Sequence, residues 1–306
     1  MTFLVLIIHF VVSTIFPHAS QGIVKGETVQ TPTAQHPALP TIAARSTVVP
    51  PDPATAPAVS AQAVGVWDVL TNTLLFGKDV DTRRPLASVT KLMTALIVLE
   101  SNPDLDSTVT IEQGDNDPEG SRLRIATGAV VMLRDLLYGT LVESANNSAE
   151  ALVRAAGFAE ADFVARMNAR AAELGMAQTR FTDVTGLGAG NASTVRDLVW
   201  LARIAFRQPL IKLISTTQKY DIKDQSNGKT LTIQNTDLLL GKDLAVVAGK
   251  TGWADFSGSN LVAQFTDGKG HDLISVVLGS EGMNGRFSDT DALVRWAFAN
   301  THWSAP

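Results

Sequence analysis

The sequence predicts an α+β fold: one antiparallel sheet built from both ends of the folded region, with packed helices and a helical subdomain between them. Three observations carry this. Strand-like apolar runs separated by turn residues occupy 63–77 near one end and 244–278 near the other. Four helix-like segments follow one another in between, at 132–141, 147–156, 161–174 and 194–206. A last helical run, 289–299, carries Leu293, Val294, Trp296, Ala297 and Phe298. Elements segregated in this way favour an antiparallel sheet beside a helical body over an alternating βαβ fold. There is no internal repeat.

Residues 3–16 form an uninterrupted, mostly apolar run, short for a spanning helix and of signal-peptide size. No Lys or Arg precedes Lys25, and Ala19-Ser20 is a poor cleavage match, yet residues 1–20 read as an export signal or N-terminal anchor. Residues 21–60 are rich in Pro, Thr and Ala, and seven of the 13 prolines fall between Pro32 and Pro57. With no periodic apolar face, this stretch is expected to be a disordered tether. The folded domain is then 61–306.

Folded sequence is expected from about Gln62. Ala63–Val69 and Thr73–Gly77 flank a turn at Thr71-Asn72, which predicts a hairpin. Next comes a helix entered at Pro85 and running to about Glu100. Its residues Leu92, Met93, Leu96, Ile97 and Leu99 wrap much of the circumference, so it is predicted to be a buried central helix. Short strands or loops fill 109–127. Gly175 is placed to end the third of the four middle helices and Ser193 to cap the fourth. Strand-like runs follow at Leu244–Ala248, Asn260–Phe265 and Leu273–Leu278, the last two joined by a turn at Gly268-Lys269-Gly270.

Three short motifs carry the chemistry. Ser88 opens the central helix with Lys91 three residues on, and positions i and i+3 share a helix face. A serine at a helix N-terminus also sits where backbone N–H groups favour a developing oxyanion. Taken alone, the pair reads equally well as an N-cap and a solvated lysine. A second S-x-x-K, Ser226-Asn227-Gly228-Lys229, lies in a polar turn with no helix to align it. Ser144-Ala145-Asn146, the only S-x-N of the chain, lies at a junction between two helices and could be no more than a turn with a cap. Lys250-Thr251-Gly252 follows the strand-like run ending at Gly249 and could be a strand end with an exposed lysine. All three in this order and context are far less expected by accident than any one.

Composition narrows the rest. With 25 basic and 30 acidic residues the net charge is −5, and no basic cluster stands out, which argues against a nucleic-acid partner. There are no cysteines, so disulfides, thiol catalysis and cysteine-ligated metal sites are excluded. From Gln62 onward only His271 and His302 offer an imidazole, and no G-x-S-x-G elbow occurs, so a Ser-His-Asp triad is not expected. Lysine is then the available base for Ser88, and it must be neutral to act.

S-x-x-K, S-x-N and K-T-G together are the motif set of penicillin-recognising enzymes. The chain resembles the low-molecular-mass penicillin-binding proteins, the serine D-alanyl-D-alanine carboxypeptidase/endopeptidase family. The resemblance runs from about Ala63 to Phe298. It includes Ala87–Ala95, Leu174-Gly175-Met176, Thr179-Arg180-Phe181, Thr185-Gly186-Leu187, Ala192–Leu198, Gly249–Gly252, Gly258, Asn260-Leu261-Val262 and Val276–Gly279. The family's C-terminal β-rich domain and anchor helix have no counterpart before Pro306, which is more like the shorter endopeptidase branch. Trp253 and Phe256 depart from the usual pattern at positions that bear on substrate fit.

The resemblance implies a β-lactamase/DD-peptidase-like fold and a division of roles. Lys91, its pKa lowered by burial and by the cation of Lys250, deprotonates Ser88. Ser88 attacks the penultimate D-Ala carbonyl of a peptidoglycan stem peptide. The backbone N–H groups of Ser88 and Trp253 hold the oxyanion. Ser144 relays a proton to the leaving amine, and Asn146 orients Lys91 and the substrate amide. Lys250 and Thr251, on a strand continued by Gly252 and Trp253, bind the terminal carboxylate. No metal or organic cofactor is required, and β-lactam antibiotics are expected to acylate Ser88. The expected location is the periplasm or cell envelope, with possible membrane contact at the N-terminus. A class A-like β-lactamase is the first alternative, but Glu150, Glu160 and Glu173 each lack an Asn four residues on, so its E-x-x-L-N signature is missing. A non-catalytic peptidoglycan-binding envelope protein is the second.

Overall fold

The structure, a computed structural model, describes residues 47–304. The expected export segment 1–20 and linker residues 21–46 lie outside the described residues. In chain order the elements are β1 (Val48–Val49), β2 (Ala63–Asp68), β3 (Leu74–Lys78), β4 (Arg84–Pro85), a 3₁₀ turn (Ala87–Thr90), α1 (Lys91–Glu100), β5 (Thr108–Thr110), β6 (Val130–Met132), α2 (Leu133–Leu141), α3 (Asn146–Ala155), α4 (Glu160–Glu173), β7 (Ala192–Ser193), α5 (Val195–Ala205), α6 (Pro209–Ser215), β8 (Lys219–Lys223), β9 (Thr230–Gln234), β10 (Ala245–Ala254), β11 (Gly258–Thr266), β12 (Asp272–Ser280), α7 (Gly285–Asn300) and β13 (His302–Trp303). Among the described residues no helix is long and apolar enough to cross a membrane.

The main sheet has the order β10-β11-β12-β2-β3 and every pairing in it is antiparallel. Strands from the two ends of the folded region therefore meet at its centre, where β2 pairs β12 with Val66 opposite Ser275. All six residues of β2 are buried, because both faces of the sheet are covered. Side chains alternate between the faces. Val64 and Val66 join Leu261, Phe265 and Leu273 in a core closed by Phe287, Leu293 and Val294 of α7. Ala63 and Trp67 point the other way, into the larger core shared with α1, α2, α3 and α5.

Helix α1 is the hub of that larger core. Lys91 through Val98 are all buried, apolar and polar alike. The wrap of apolar residues in the sequence thus marks a surrounded helix, as expected. Thr194, and not Ser193, caps α5, its hydroxyl accepting from Asp197 N at 3.1 Å, because Ser193 is already paired in β7 with Arg84. Helix α6 had no sequence signal; at seven residues it is too short to show a period.

The ordered body begins earlier than Gln62. β1 pairs β13, Trp296 Nε1 donates to Thr55 Oγ1 at 3.1 Å, and Ala61 is fully buried. The segment 47–60 is thus docked, which corrects this part of the expected tether. Its prolines remove backbone donors and limit regular structure to the two residues of β1 and a single 3₁₀ turn at Pro53–Thr55, but they do not forbid packing. Asp289 of α7 is the anchor. Its carboxylate accepts from Ser60 N (3.1 Å), Ser60 Oγ (2.8 Å), Ala61 N (2.9 Å) and Ser280 Oγ (2.7 Å) and is 6% exposed. Truncation would leave buried donors unpaired. Asp289→Ala is expected to lower unfolding stability by about 3 kcal/mol, read from urea denaturation at constant m-value.

Candidate active site

The residues singled out in the sequence converge on one cavity of about 510 Å³, lined by Ser88, Ser144, Asn146, Thr251, Gly252 and Trp253 among others. Lys91 and Lys250 stand behind its wall, 0% and 1% exposed.

Ser88 lies in the 3₁₀ turn rather than in the α-helix, and Lys91 is the first residue of α1. A 3₁₀ turn has three residues per turn, so positions i and i+3 eclipse and the two side chains align directly. Lys91 Nζ is 2.9 Å from Ser88 Oγ, 2.6 Å from Asn146 Oδ1 and 2.8 Å from Thr185 O. A neutral amine keeps two donors for Asn146 and Thr185 and turns its lone pair to Ser88, which then donates. Asn146 is fixed in turn by Nδ2 donating to Glu119 O at 2.5 Å.

The backbone is forced at two points. Ala87 has φ 47° and Ser144 has φ 62°, left-handed values that cost a non-glycine residue about 1 kcal/mol each. The first presses the Ala87 carbonyl against Gly186, where a Cβ would fall 1.8 Å from that oxygen. The second turns Ser144 towards Lys250, whose Nζ donates to Ser144 Oγ at 2.8 Å and to Thr251 O at 2.9 Å.

Lys250-Thr251-Gly252 lies inside β10, not beyond its end, because the strand continues to Ala254 after a bulge between Val246 and Ala248. Gly252 packs against the turn that carries Ser88: a Cβ there would sit 3.2 Å from Ser88 N and 2.8 Å from Leu86 O. Trp253 and Phe256 are 45% and 43% exposed on the cavity rim. The second S-x-x-K sits in the exposed β8–β9 turn, Ser226 Oγ donating to Asp224 Oδ1 at 2.6 Å.

Burial brings Lys91 down from its ordinary value near 10.5 to about 7, against the pull of the Asp183 and Glu150 carboxylates. The cation expected from Lys250 is not what lowers it. The repulsion between the two amines shows on Lys250, which is held well below its ordinary value by burial first, then by Lys91 and Arg286, with Asp237 opposing. Glu150 is itself raised to about 7, by burial first and then by Glu160 and Asp183.

Three contributors escaped the sequence reading. Arg286, on the first turn of α7, lines the cavity and donates to Gly252 O and Ser259 Oγ, both at 3.1 Å. Thr236 also lines it, its hydroxyl 2.6 Å from that of Thr251. Thr185 supplies a carbonyl, set by Asp183 Oδ1 accepting from Thr185 N and Gly186 N at 2.9 and 2.6 Å. Only the Thr185-Gly186-Leu187 run left a trace in the sequence; Arg286 and Thr236 belong to no motif.

The sequence model of the D-alanyl-D-alanine carboxypeptidase family matches residues 51–282. A D-alanyl-D-alanine endopeptidase of Haemophilus influenzae is 37% identical over 204 residues, 66% of this chain and 69% of that protein. One from Escherichia coli is 32% identical over 246 residues, 79% of each. The crystal structure of a Streptomyces DD-transpeptidase superposes with a TM-score of 0.75 at 31% identity, covering 80% of this chain and 99% of that one. The matched stretch contains Ser88, Lys91, Ser144, Asn146 and Lys250–Trp253, and the chain belongs to the D-alanyl-D-alanine carboxypeptidase family.

Proposed function

We propose that the protein is a serine-type DD-peptidase that hydrolyses D-Ala-D-Ala-type bonds of peptidoglycan stem peptides through an acyl-enzyme on Ser88. The observation that carries this is a buried Lys91 amine 2.9 Å from the Ser88 hydroxyl, in a cavity that also gathers Ser144, Lys250 and Thr251.

Neutral Lys91 takes the Ser88 proton as Oγ bonds to the penultimate D-Ala carbonyl carbon. The oxyanion forms beside Ser88 N, with Trp253 N as its second donor. The proton passes by way of Ser144 to the leaving nitrogen, the C–N bond breaks, and the amine departs. Water then adds to the ester, giving its proton to Lys91, and the Ser88 Oγ–C bond breaks as Lys91 returns that proton to Oγ, which frees the acid and restores the neutral amine. Thr251, Lys250 and Arg286 present hydroxyl and cationic groups where a terminal carboxylate would lie. Among the described residues no glutamate lines the cavity, which disfavours a class A-like β-lactamase. A peptidoglycan substrate places the enzyme outside the cytoplasm, with residues 1–20 as export signal or anchor and the tether limited to about residues 21–46.

The test is to incubate the protein with benzylpenicillin and a peptide ending in D-Ala-D-Ala. Expected are a long-lived adduct mapped by mass spectrometry to the peptide holding Ser88, and release of D-Ala. Rapid penicillin turnover with no adduct and no D-Ala would overturn the reading in favour of a β-lactamase. Binding without turnover or adduct would favour a non-catalytic protein.

Acylation should also depend on pH with a definite sign. Below about 7 Lys91 is protonated and cannot accept a proton, so the rate rises as pH climbs through about 7 and levels above it. Glu150 ionises in the same range and its charge favours the ammonium, which broadens the rise. Glu150→Gln is expected to move the acid limb to lower pH, by about half a unit, in a stopped-flow acylation profile.

A further inference from the structure

The large apolar side chains left exposed fall mostly into two groups. Leu187, Trp253, Phe256 and Met283 rim the cleft. Leu70, Trp200, Leu210 and Leu213 are exposed to 73%, 40%, 38% and 58% and take no part in the cleft.

Strand register places this second group at the opposite end of the sheet. Trp253 faces Ser259 at the cleft end of β10, and Ala245 faces Thr266 at its other end, roughly 25 Å away along the strand. β12 starts at that far end, where its Leu273 faces Asp68 of β2. Leu70, in the turn just beyond Asp68, is therefore at the far end too. Helix α5 runs beside β2 in the same direction. At its start a Cβ on Gly65 would lie 3.1 Å from Val195 Cγ1, and near its end Arg203 Nη1 donates to Val69 O at 2.7 Å. Arg207 follows the end of α5, and Leu210 and Leu213 come next, one turn apart on α6.

The patch is cationic as well as apolar. The Arg203 guanidinium stands 5.6 Å from the centre of the Trp200 ring. Burial, and then the charge of Arg207 beside it, hold Arg203 below its ordinary value, with Asp68 opposing. Neither arginine forms an ion pair with a described residue. Asp68 is 1% exposed and its carboxylate is taken up, Oδ1 accepting from Thr71 N at 2.7 Å and Oδ2 from Trp303 Nε1 at 3.0 Å. Two other carboxylates at this end are also engaged, Asp267 by His271 and Asp272 by Gln264. In a chain of net charge −5, two free guanidinium groups among exposed apolar side chains make a local exception.

The chain also enters the domain at this end. Thr47 N donates to Ser304 Oγ at 3.0 Å, and Val48 faces Trp303, the residue whose indole is held by Asp68. The apolar run 3–16 is joined to Thr47 through residues 17–46, and a coil of that length spans roughly 30 Å.

We infer that Leu70, Trp200, Arg203, Arg207, Leu210 and Leu213 form a docking surface for a lipid bilayer with anionic headgroups. An indole suits the boundary between headgroup and acyl chain, and a guanidinium pairs with a lipid phosphate. A short connection to an anchor raises the effective concentration of the surface, so a patch of this modest size suffices. Docked by this end, the domain turns its cleft to the side away from the bilayer. The inference goes beyond the DD-peptidase reading and stands or falls separately from it; only the reach of the connection draws on residues 1–20 as an anchor.

The experiment uses the full chain with vesicles of phosphatidylcholine alone or mixed with phosphatidylglycerol, each carrying brominated acyl chains that quench tryptophan. Residues 1–46 hold no tryptophan, so quenching reports on the folded domain whatever the N-terminal run does. Quenching is expected on the anionic vesicles, and Trp200→Phe should remove at least about half of it, since Trp67 is buried and Trp253 stands at the cleft end. Arg207→Gln should lower the quenching about threefold and Arg207→Lys restore most of it. Leu70→Ser/Leu213→Ser, at two exposed positions, should lower it about fivefold. Thermal melts check that each variant is folded. Raising the salt concentration should weaken quenching on the anionic vesicles. No quenching, equal quenching on neutral vesicles, or quenching that survives Trp200→Phe and vanishes in Trp253→Phe would each overturn the surface. A dimer in solution that Leu70→Ser/Leu213→Ser dissolves would assign the patch to a second copy of the chain and overturn it as well. Penicillin labelling and D-Ala release, measured without vesicles, report on the DD-peptidase reading alone.

Discussion

Ser88→Ala is expected to lose covalent penicillin labelling entirely and to slow peptide hydrolysis by about 10⁴-fold or more. Acylation needs an oxygen that can bond to carbon, and no neighbouring group can stand in for it. The fold should be indifferent. Ser88 is only partly buried, and its hydroxyl contacts a lysine that keeps Asn146 Oδ1 and Thr185 O as partners. The expected change in stability is less than about 1 kcal/mol. Fluorescent penicillin on wild type and variant, beside their thermal melts, reads both quantities. Label retained on Ser88→Ala would move the nucleophile to Ser144, the other cavity serine bonded to a buried lysine.

Lys91→Met should reduce the acylation rate by about 10³-fold, within the range expected for losing a positioned general base. The variant discriminates between a base and a mere contact. If Lys91 acts by accepting the Ser88 proton, the wild-type rise through pH 7 disappears and the residual rate stays low up to pH 9. If it served only to pack, a methionine of similar length would preserve the rate. Stability argues against the packing reading as well. Burying an ammonium is costly, and holding Lys91 near 7 means that the folded protein carries that cost at neutral pH. Methionine removes it while leaving Asn146 and Thr185 without a donor, so stability is expected to remain within about 2 kcal/mol of wild type. Rate and stability are read by stopped-flow acylation and urea unfolding of the same preparation.

What the sequence made legible follows from how locally each feature is encoded. Ser88 and Lys91 are three residues apart, so their meeting needed only one turn of helix, although the turn proved to be 3₁₀. The hairpin of β2 and β3, the three strands β10, β11 and β12 and the closing α7 each carry their own period and turn signals. Ser144, Asn146 and Lys250 could be proposed only because their triplets stood in a recognisable order, since their convergence spans 106 residues between Ser144 and Lys250. Arg286 and Thr236 share no triplet, and Glu150 acts only through charge, so their roles appear once the chain is folded. The tether was misjudged at residues 47–60 because composition reports the lack of regular structure and says nothing of a docking partner such as Asp289. The cause assigned to the lowered Lys91 failed for a similar reason: how deeply an amine is buried is a property of the packed core.

The pairing of β2 with β12 has a kinetic consequence. Val66 and Ser275 lie at opposite ends of the folded region, yet they sit side by side at the centre of the sheet. Neither the β2–β3 hairpin nor the β10–β12 meander can complete that sheet alone, so its core cannot close until nearly the whole chain is available. Closing so long a loop carries a large entropic cost before any long-range contact repays it, which places the protein among slow folders. While it waits, the edge of β2 and the edge of β12 are both unpaired and apolar, and each is a template for another chain. A refolding yield that falls with protein concentration is the expected signature.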